Sequence, residues 1–315
     1  MNERVKRLRE RSLASRPSIT SERAVLLTEF YRREQGKHPT PVLRALAFQH
    51  LCEHKTVWIG DDELIVGERG PKPLAVPTFP ELTCHSVEDL EILDSREKTS
   101  YAVAPEVIDT YRETVIPYWR GRSIRDRVFP ELPPEWHDAY AAGVFTEFME
   151  QRAPGHTVAD GKIYAKGLRD LQAEIDAALA KLDDRAPDFE ARRDQLRAMR
   201  IAAEANIVFA RRHADLAREM AAVEGDAVRR TELEAIADRC DRVPARAPRT
   251  FAEALQGYWF HHLAVVTELN GWDAFNPGHL DHHLLPYYER ELAAGTLDRE
   301  GAREFLECFW VKFNN

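Results

Sequence analysis

The stretch Phe145-Thr-Glu-Phe-Met-Glu-Gln-Arg-Ala-Pro-Gly-His-Thr-Val158 ends a helix on the pair Pro154-Gly155, with a sharp backbone turn at Gly155. The next side chain is His156. A residue carried on such a turn projects into a cavity instead of packing in a helix face. Histidine suits a site that hydrogen-bonds a hydroxyl or passes a proton near neutral pH. A lone histidine satisfied inside a core is the competing reading.

A second break follows downstream, in Thr267-Glu-Leu-Asn-Gly-Trp-Asp-Ala-Phe-Asn-Pro-Gly278. Helical periodicity stops at Gly271, and Pro277-Gly278 marks a turn. Asp273, flanked by Trp272 and Phe275, is expected to be partly buried. A buried carboxylate needs a cation or hydrogen-bond donors. A bound ammonium group would serve, and so would a protein arginine or a helix N-terminus. His279, Asp281, His282 and His283 come next, with His261 and His262 upstream. Adjacent histidines on a helix point about 100° apart, so His282 and His283 are poorly placed to share an ion. His279 and His282, three apart, could share one. No H-E-x-x-H or comparable spacing supports this, and no metal site is expected.

Helical spacing dominates the rest of the chain. Thr20-Ser-Glu-Arg23 opens a helix that runs through Tyr31. Pro41 starts another, with Val42, Leu43, Leu46, Ala47 and His50 on helical spacing. Thr56–Ile59 and Glu63–Val66, separated by Gly60-Asp-Asp, predict a small β-hairpin ending at Gly67. The proline-dense segment 70–81 predicts extended chain and a cavity wall. Helices are expected at Ser86–Leu93, Pro105–Trp119 and Glu135–Glu150, and an amphipathic one over 163–182. Two charged helices are expected within 187–239, with Arg192, Arg193, Arg197, Arg200, Arg211 and Arg212 read as a solvated face laced with ion pairs. An apolar helix begins at Thr250. The last helix carries Phe305, Leu306, Phe309, Trp310 and Phe313 on one face, without a Gly cap or Pro stop, which suggests truncation.

With 315 residues, 44% of them apolar and 31% charged, the chain can bury a sizeable core. It contains no apolar run of membrane-spanning length and no signal-peptide pattern at its start, so neither membrane insertion nor export is expected. The net charge of −9 argues against a nucleic-acid surface. Cys52, Cys84, Cys240 and Cys308 are far apart, which points to reduced, mostly buried thiols in a cytoplasmic protein.

Three of these stretches together resemble a known family. Met149–Val158 is similar to the segment before the substrate cavity of the glycyl radical enzymes, the pyruvate formate-lyase-like superfamily. Asn276-Pro-Gly-His-Leu-Asp-His-His-Leu-Leu-Pro-Tyr-Tyr288 resembles the family pattern P-G-R-L-D-x-x-L-x-P-Y-Y, with His279 in place of the usual Arg. Glu63-Leu-Ile-Val-Gly-Glu-Arg69 and the proline-rich segment after it match the family's N-terminal region. Within the family, Glu268–Phe275, Phe145–Arg152 and Glu307–Asn315 read like the branch that dehydrates trans-4-hydroxy-L-proline.

The resemblance implies a fold. Residues 1–315 would be the predominantly α-helical N-terminal part, with few short strands, of a pyruvate formate-lyase-like α/β barrel enzyme. It also implies chemistry. A glycyl radical, installed by a separate iron–sulfur, S-adenosylmethionine-dependent activating enzyme, would generate a thiyl radical that abstracts substrate hydrogen. Loss of the ring hydroxyl would then give 1-pyrroline-5-carboxylate. His156 would contact the substrate hydroxyl or neighbouring acids, Asp273 would hold the cationic nitrogen, and Phe148 would wall the cavity. The partners implied are a small hydroxylated amino acid, the activating enzyme and, for the full-length enzyme, a second copy of the chain.

No C-x-E thiyl loop and no R-V-x-G-Y radical loop occurs in the sequence. The expectation is therefore an N-terminal portion that supplies substrate contacts and is inactive alone. Two alternatives stand beside it. One is another lyase of the family acting on a diol, amine or sulfonate, against which an anionic Asp273 favours an amine or amino acid. The other is a non-catalytic helical scaffold, which the exposed aromatic face predicted for Phe305–Phe313 opposes.

Overall fold

The computed structural model describes residues 1–144, 159–269 and 276–315. The elements in order are α1 (Glu3–Ala14), β1 (Ser18–Thr20), α2 (Glu22–Glu34), α3 (Thr40–His54), β2 (Ala75–Pro77), α4 (Val87–Ser95), α5 (Pro105–Thr110), α6 (Ile116–Trp119), α7 (Ile124–Val128), α8 (Pro134–Ala141), α9 (Lys162–Ala165), α10 (Leu168–Leu179), α11 (Phe189–Val223), α12 (Ala227–Arg242), α13 (Phe251–Leu269), α14 (Leu280–Ala294) and α15 (Arg299–Lys312).

The 35 residues of α11 form its longest helix among those described. Its inner face is built of small side chains, Ala205, Ala210, Ala214, Ala217 and Ala221, with Phe209 between them. Small residues let α3 and α12 approach closely along its length. α13 is apolar nearly all round, from Phe251 through Leu263 to Val266, and is buried on nearly every side. A second core lies between α2, α3 and the 101–119 segment, where Trp119 Nε1 donates to Thr28 Oγ1 at 2.8 Å.

The expected hairpin over 56–66 is absent; this stretch is irregular chain. Its backbone is satisfied by side chains from the helices instead of a ladder. The Gln256 carboxamide donates to Val66 O and accepts from Val66 N, both at 2.9 Å, as a strand partner would. Arg239 donates to Leu64 O, Arg229 to Glu63 O and Gly60 O, and Trp259 Nε1 to Gly67 O. Apolar β-branched residues still point inward, but the partner that β pairing needs is a set of helical side chains. Gly67 has φ +110°, and a Cβ there would lie 2.7 Å from Leu263 Cδ1, so only glycine fits.

The proline-rich segment is extended, as expected. Its residues 75–77 form β2, which pairs in parallel with β1 in the register Ser18↔Ala75, Ile19↔Val76, Thr20↔Pro77. The predicted helix over Pro105–Trp119 is present in three pieces, with a π-helical turn over Tyr111–Val115 between α5 and α6. Pro117 supplies no N–H, and the ladder widens just before it. The predicted helix over Glu135–Glu150 ends early, at Ala141, and Gly143 takes φ +72°; residues 145–150 lie outside the described residues. The amphipathic helix over 163–182 is divided at Gly167 into α9 and α10.

The charged helices α11 and α12 carry the expected ion pairs, among them Arg200–Asp176 and Arg193–Asp194. Arg212 departs from that pattern. It donates to Cys52 O and Lys55 O at the C-terminus of α3. The final helix corrects another expectation. Phe309 is fully buried, and Phe305, Leu306 and Phe313 pack against the main core, leaving Trp310 as the exposed ring at 51%. The face is covered by Tyr258, Trp259 and His262 of α13. No described helix is long and apolar enough to cross a membrane.

Candidate functional site

His156, Phe148 and Asp273 all lie outside the described residues. The residues bordering their segments are described. Ala159 follows the first segment and Leu269 precedes the second, and both line one cleft of about 1060 Å³. Its walls come from α3 (Arg44, Phe48), α10 (Leu171, Ile175), α11 (Met199, Asn206) and the end of α13 (Val265, Glu268). It is mostly apolar with a few polar groups, the make-up of a small-molecule site.

The polar groups have definite states. Arg44 pairs with Glu268 across the cleft. Burial raises the Glu268 carboxyl and outweighs the opposing pull of Arg44. Asn206 contacts His261 Nδ1 at 3.3 Å, and burial lowers the His261 imidazole to about 4, so it is neutral at pH 7. The Asn206 Oδ1 atom is buried without a partner.

The last turn of α13, from which the Asp273 segment departs, is clamped. Arg23 Nε donates to Thr267 O at 2.8 Å, its NH1 donates to Thr78 O, and its guanidinium pairs with Glu81 and lies 3.8 Å from the Phe79 ring centroid. Arg23 is 5% exposed. A second buried charge cluster joins α15 to the 63–68 segment. Lys312 Nζ donates to Glu63 at 2.7 Å and to Glu68, and the Asn315 side chain also donates to Glu68. Burial raises the Glu68 carboxyl, with Glu63 adding to the effect and Lys312 opposing it. Burial alone would lower the Lys312 ammonium, but its two carboxylates raise it instead.

The histidines that invited a metal reading are not assembled. His279 and His282 are exposed on or beside α14, whereas His261 and His262 sit inside the core on α13. His283 stacks on Tyr164 with centroids 4.7 Å apart and meets Asp160 at 3.0 Å. Among the described residues no group of three or more His, Cys, Asp or Glu is placed to hold a metal ion. Cys52, Cys240 and Cys308 are buried and Cys84 is half-buried. Burial pushes all four thiols up to about 12, and none of them lines the cleft.

Arg23, Lys55, Arg69 and the Glu63–Glu68–Lys312 cluster were not singled out from sequence. A signal existed for two of them, because Glu63 and Glu68 bracket an apolar run too short to be a solvated surface strand.

The pyruvate formate lyase-like family model matches residues 1–315. The chain is 50% identical to trans-4-hydroxy-L-proline dehydratase of Clostridioides difficile, over 99% of this chain and 40% of that protein. A crystal structure of hydroxyproline dehydratase from Clostridioides difficile, with trans-4-hydroxy-L-proline bound, superimposes with TM-score 0.96 at 49% identity, covering 100% of this chain and 40% of that one. A structure described for 1,2-propanediol dehydration in Roseburia inulinivorans gives TM-score 0.94 at 30% identity, covering 100% and 39%. The chain thus spans about 40% of the length of these relatives. Its helical, few-stranded structure is the fold of the N-terminal part of such enzymes. The chain belongs to the pyruvate formate lyase-like family.

Proposed function

We propose that residues 1–315 form the N-terminal portion of a glycyl radical lyase that dehydrates trans-4-hydroxy-L-proline to 1-pyrroline-5-carboxylate. The observation that carries the reading is the match at 49% identity and TM-score 0.96 to a hydroxyproline dehydratase holding that substrate. Fold alone does not select the substrate, since the structure described for 1,2-propanediol dehydration superimposes nearly as well at 30% identity. In this reading the choice is made by Asp273. A zwitterionic substrate in a dry cavity needs a fixed anion for its ammonium group, and a neutral diol does not.

In this reading His156 hydrogen-bonds the departing hydroxyl and passes it a proton. Asp273 pairs with the ring nitrogen, and Phe148 closes the apolar wall. The cleft bordered by Ala159 and Leu269 supports placing the two segments at one cavity. The glycyl radical, when installed, supplies hydrogen abstraction through a thiyl group. The four cysteines of this chain are unsuited to that part: Cys52, Cys240 and Cys308 are buried on helices, Cys84 is half-buried in the loop before α4, and none lines the cleft. The reading includes an activating enzyme with S-adenosylmethionine and an iron–sulfur cluster, a homodimeric assembly and an anaerobic cytoplasmic setting.

The test is turnover by a polypeptide that joins this chain to regions bearing the radical glycine and thiyl cysteine, activated anaerobically. Formation of 1-pyrroline-5-carboxylate from trans-4-hydroxy-L-proline is expected, with little turnover of 1,2-propanediol. The reverse preference would overturn the substrate assignment.

A further inference from the structure

A small cavity lies between α2, the end of α3, the 69–77 segment and the end of α13. Thr20, Glu22, Arg23, Lys55, Arg69 and Thr267 line it. The space open to the centre of a water-sized sphere is about 10 Å³, room for one water molecule or one monatomic ion.

Its charges do not balance locally. Lys55 is 4% exposed. Its Nζ donates to Glu68 O at 3.1 Å and Arg69 O at 2.9 Å and faces the Phe209 ring at 4.9 Å. An ammonium has three donors, and these contacts use two. The Glu68 carboxylate is turned away to Lys312. Arg69 has a buried Nε with no partner and makes no ion pair among the described residues. Arg212, which donates to the Lys55 carbonyl, adds a third cation with no carboxylate in contact. Arg23 is neutralised by Glu81. Glu22 also lines the cavity, and its carboxylate, which accepts from the Thr56 N–H and hydroxyl, supplies one negative charge there. Buried Lys55 and half-buried Arg69 are therefore two cations lining one space against the single carboxylate of Glu22.

We propose that this cavity is a binding site for a small inorganic anion of chloride's size, held between Lys55 Nζ and the Arg69 guanidinium. A water molecule could fill the space and accept hydrogen bonds, but it would leave the excess positive charge uncompensated. A chloride ion accepts from both groups and cancels charge. Burial lowers the Lys55 ammonium to about 8, with Glu22 and Glu68 opposing the shift and Arg69 adding to it. Polyatomic anions such as sulfate exceed the space, so the site discriminates by size. The inference is independent of the reaction assigned above.

Unfolding and crystallographic measurements on the full 315-residue chain test it. Thermal unfolding is followed while chloride replaces gluconate at constant ionic strength, and again while sulfate replaces gluconate. A ligand bound only by the folded state gives a saturable rise in stability with concentration. Chloride is expected to give that rise and sulfate is not, and Arg69→Gln is expected to abolish it. Equal effects of sulfate and chloride, or an unchanged chloride response in Arg69→Gln, would mean general screening and overturn the site. Bromide-soaked crystals of the wild-type chain should show an anomalous peak within hydrogen-bond distance of Lys55 Nζ and Arg69. A cavity without that peak refutes the proposal even if Arg69→Gln fails to fold.

Discussion

Arg23 Nε donates a 2.8 Å hydrogen bond to the carbonyl oxygen of Thr267, tying the start of α2 to the end of α13. Three residues beyond Thr267 begins the segment that carries Asp273. The guanidinium that makes this bond is 5% exposed and is held on its other side by Glu81. Arg23→Gln should therefore destabilise the chain by about 3–5 kcal/mol, the cost of breaking a buried ion pair from one side. Chemical denaturation measures this. Arg23→Gln combined with Glu81→Gln should cost less than the sum of the two single variants. Additivity would show that the pair is not coupled.

Glu68 predicts a pH dependence of definite sign. Its carboxyl is raised from 4.5 in the folded chain, chiefly by burial. The folded state holds this proton at pH values where the unfolded state has lost it. Its contribution to stability is thus full below pH 4.5 and is lost as pH rises through the folded value. Glu68→Gln should remove that decline. The stability difference between variant and wild type should grow by about 1.4 kcal/mol for each unit of the shift. Urea unfolding at a series of pH values checks it, and parallel profiles would count against a raised Glu68.

Gly70 is a close-packing position. A Cβ there would lie 2.1 Å from Ala75 O, a backbone atom that cannot rotate away. Gly70→Ala should cost about 3 kcal/mol or more through displacement of the turn leading into β2. Urea midpoints for this variant, compared with Gly225→Ala, where no atom crowds the new Cβ and φ is not left-handed, separate crowding from the backbone entropy of glycine.

Incubated anaerobically with an activating enzyme, S-adenosylmethionine and a reductant, this chain alone should give no glycyl radical signal. It contains no R-V-x-G-Y loop. An EPR doublet arising from this polypeptide would contradict the assignment of its role.

In the joined, activatable polypeptide, Asp273→Asn should leave radical yield intact and lower kcat/KM for hydroxyproline by about two to three orders of magnitude. That figure follows from roughly 3–5 kcal/mol for unpairing a buried charge, divided between binding and the transition state. His156→Gln should depress kcat more than it raises KM, because glutamine keeps a hydrogen bond but donates no proton. Steady-state kinetics beside EPR quantification decides. A variant that loses radical yield instead would mark the residue as structural.

Helix positions were readable from the sequence because apolar spacing, proline starts and capping residues are local. α2, α3, α4, α10 and α13 all lie where periodicity puts them. The family was readable too, because its motifs are short contiguous stretches. What tertiary structure decided was where unpaired groups find partners. The 56–67 stretch has strand composition, yet its backbone bonds go to Gln256, Arg229, Arg239 and Trp259, 166 to 192 residues away, so no local rule foretells them. The aromatic face of α15 reads as exposed when its own sequence is considered alone, and it is covered because α13 lies against it. Lys55 and Arg69 look like ordinary surface charges in the sequence. Only the packing of α2, α3 and α13 around them buries Lys55, half-buries Arg69 and brings the two cations to one cavity. Burial is a property of the assembled chain, and charge becomes chemically consequential where burial strips its solvent.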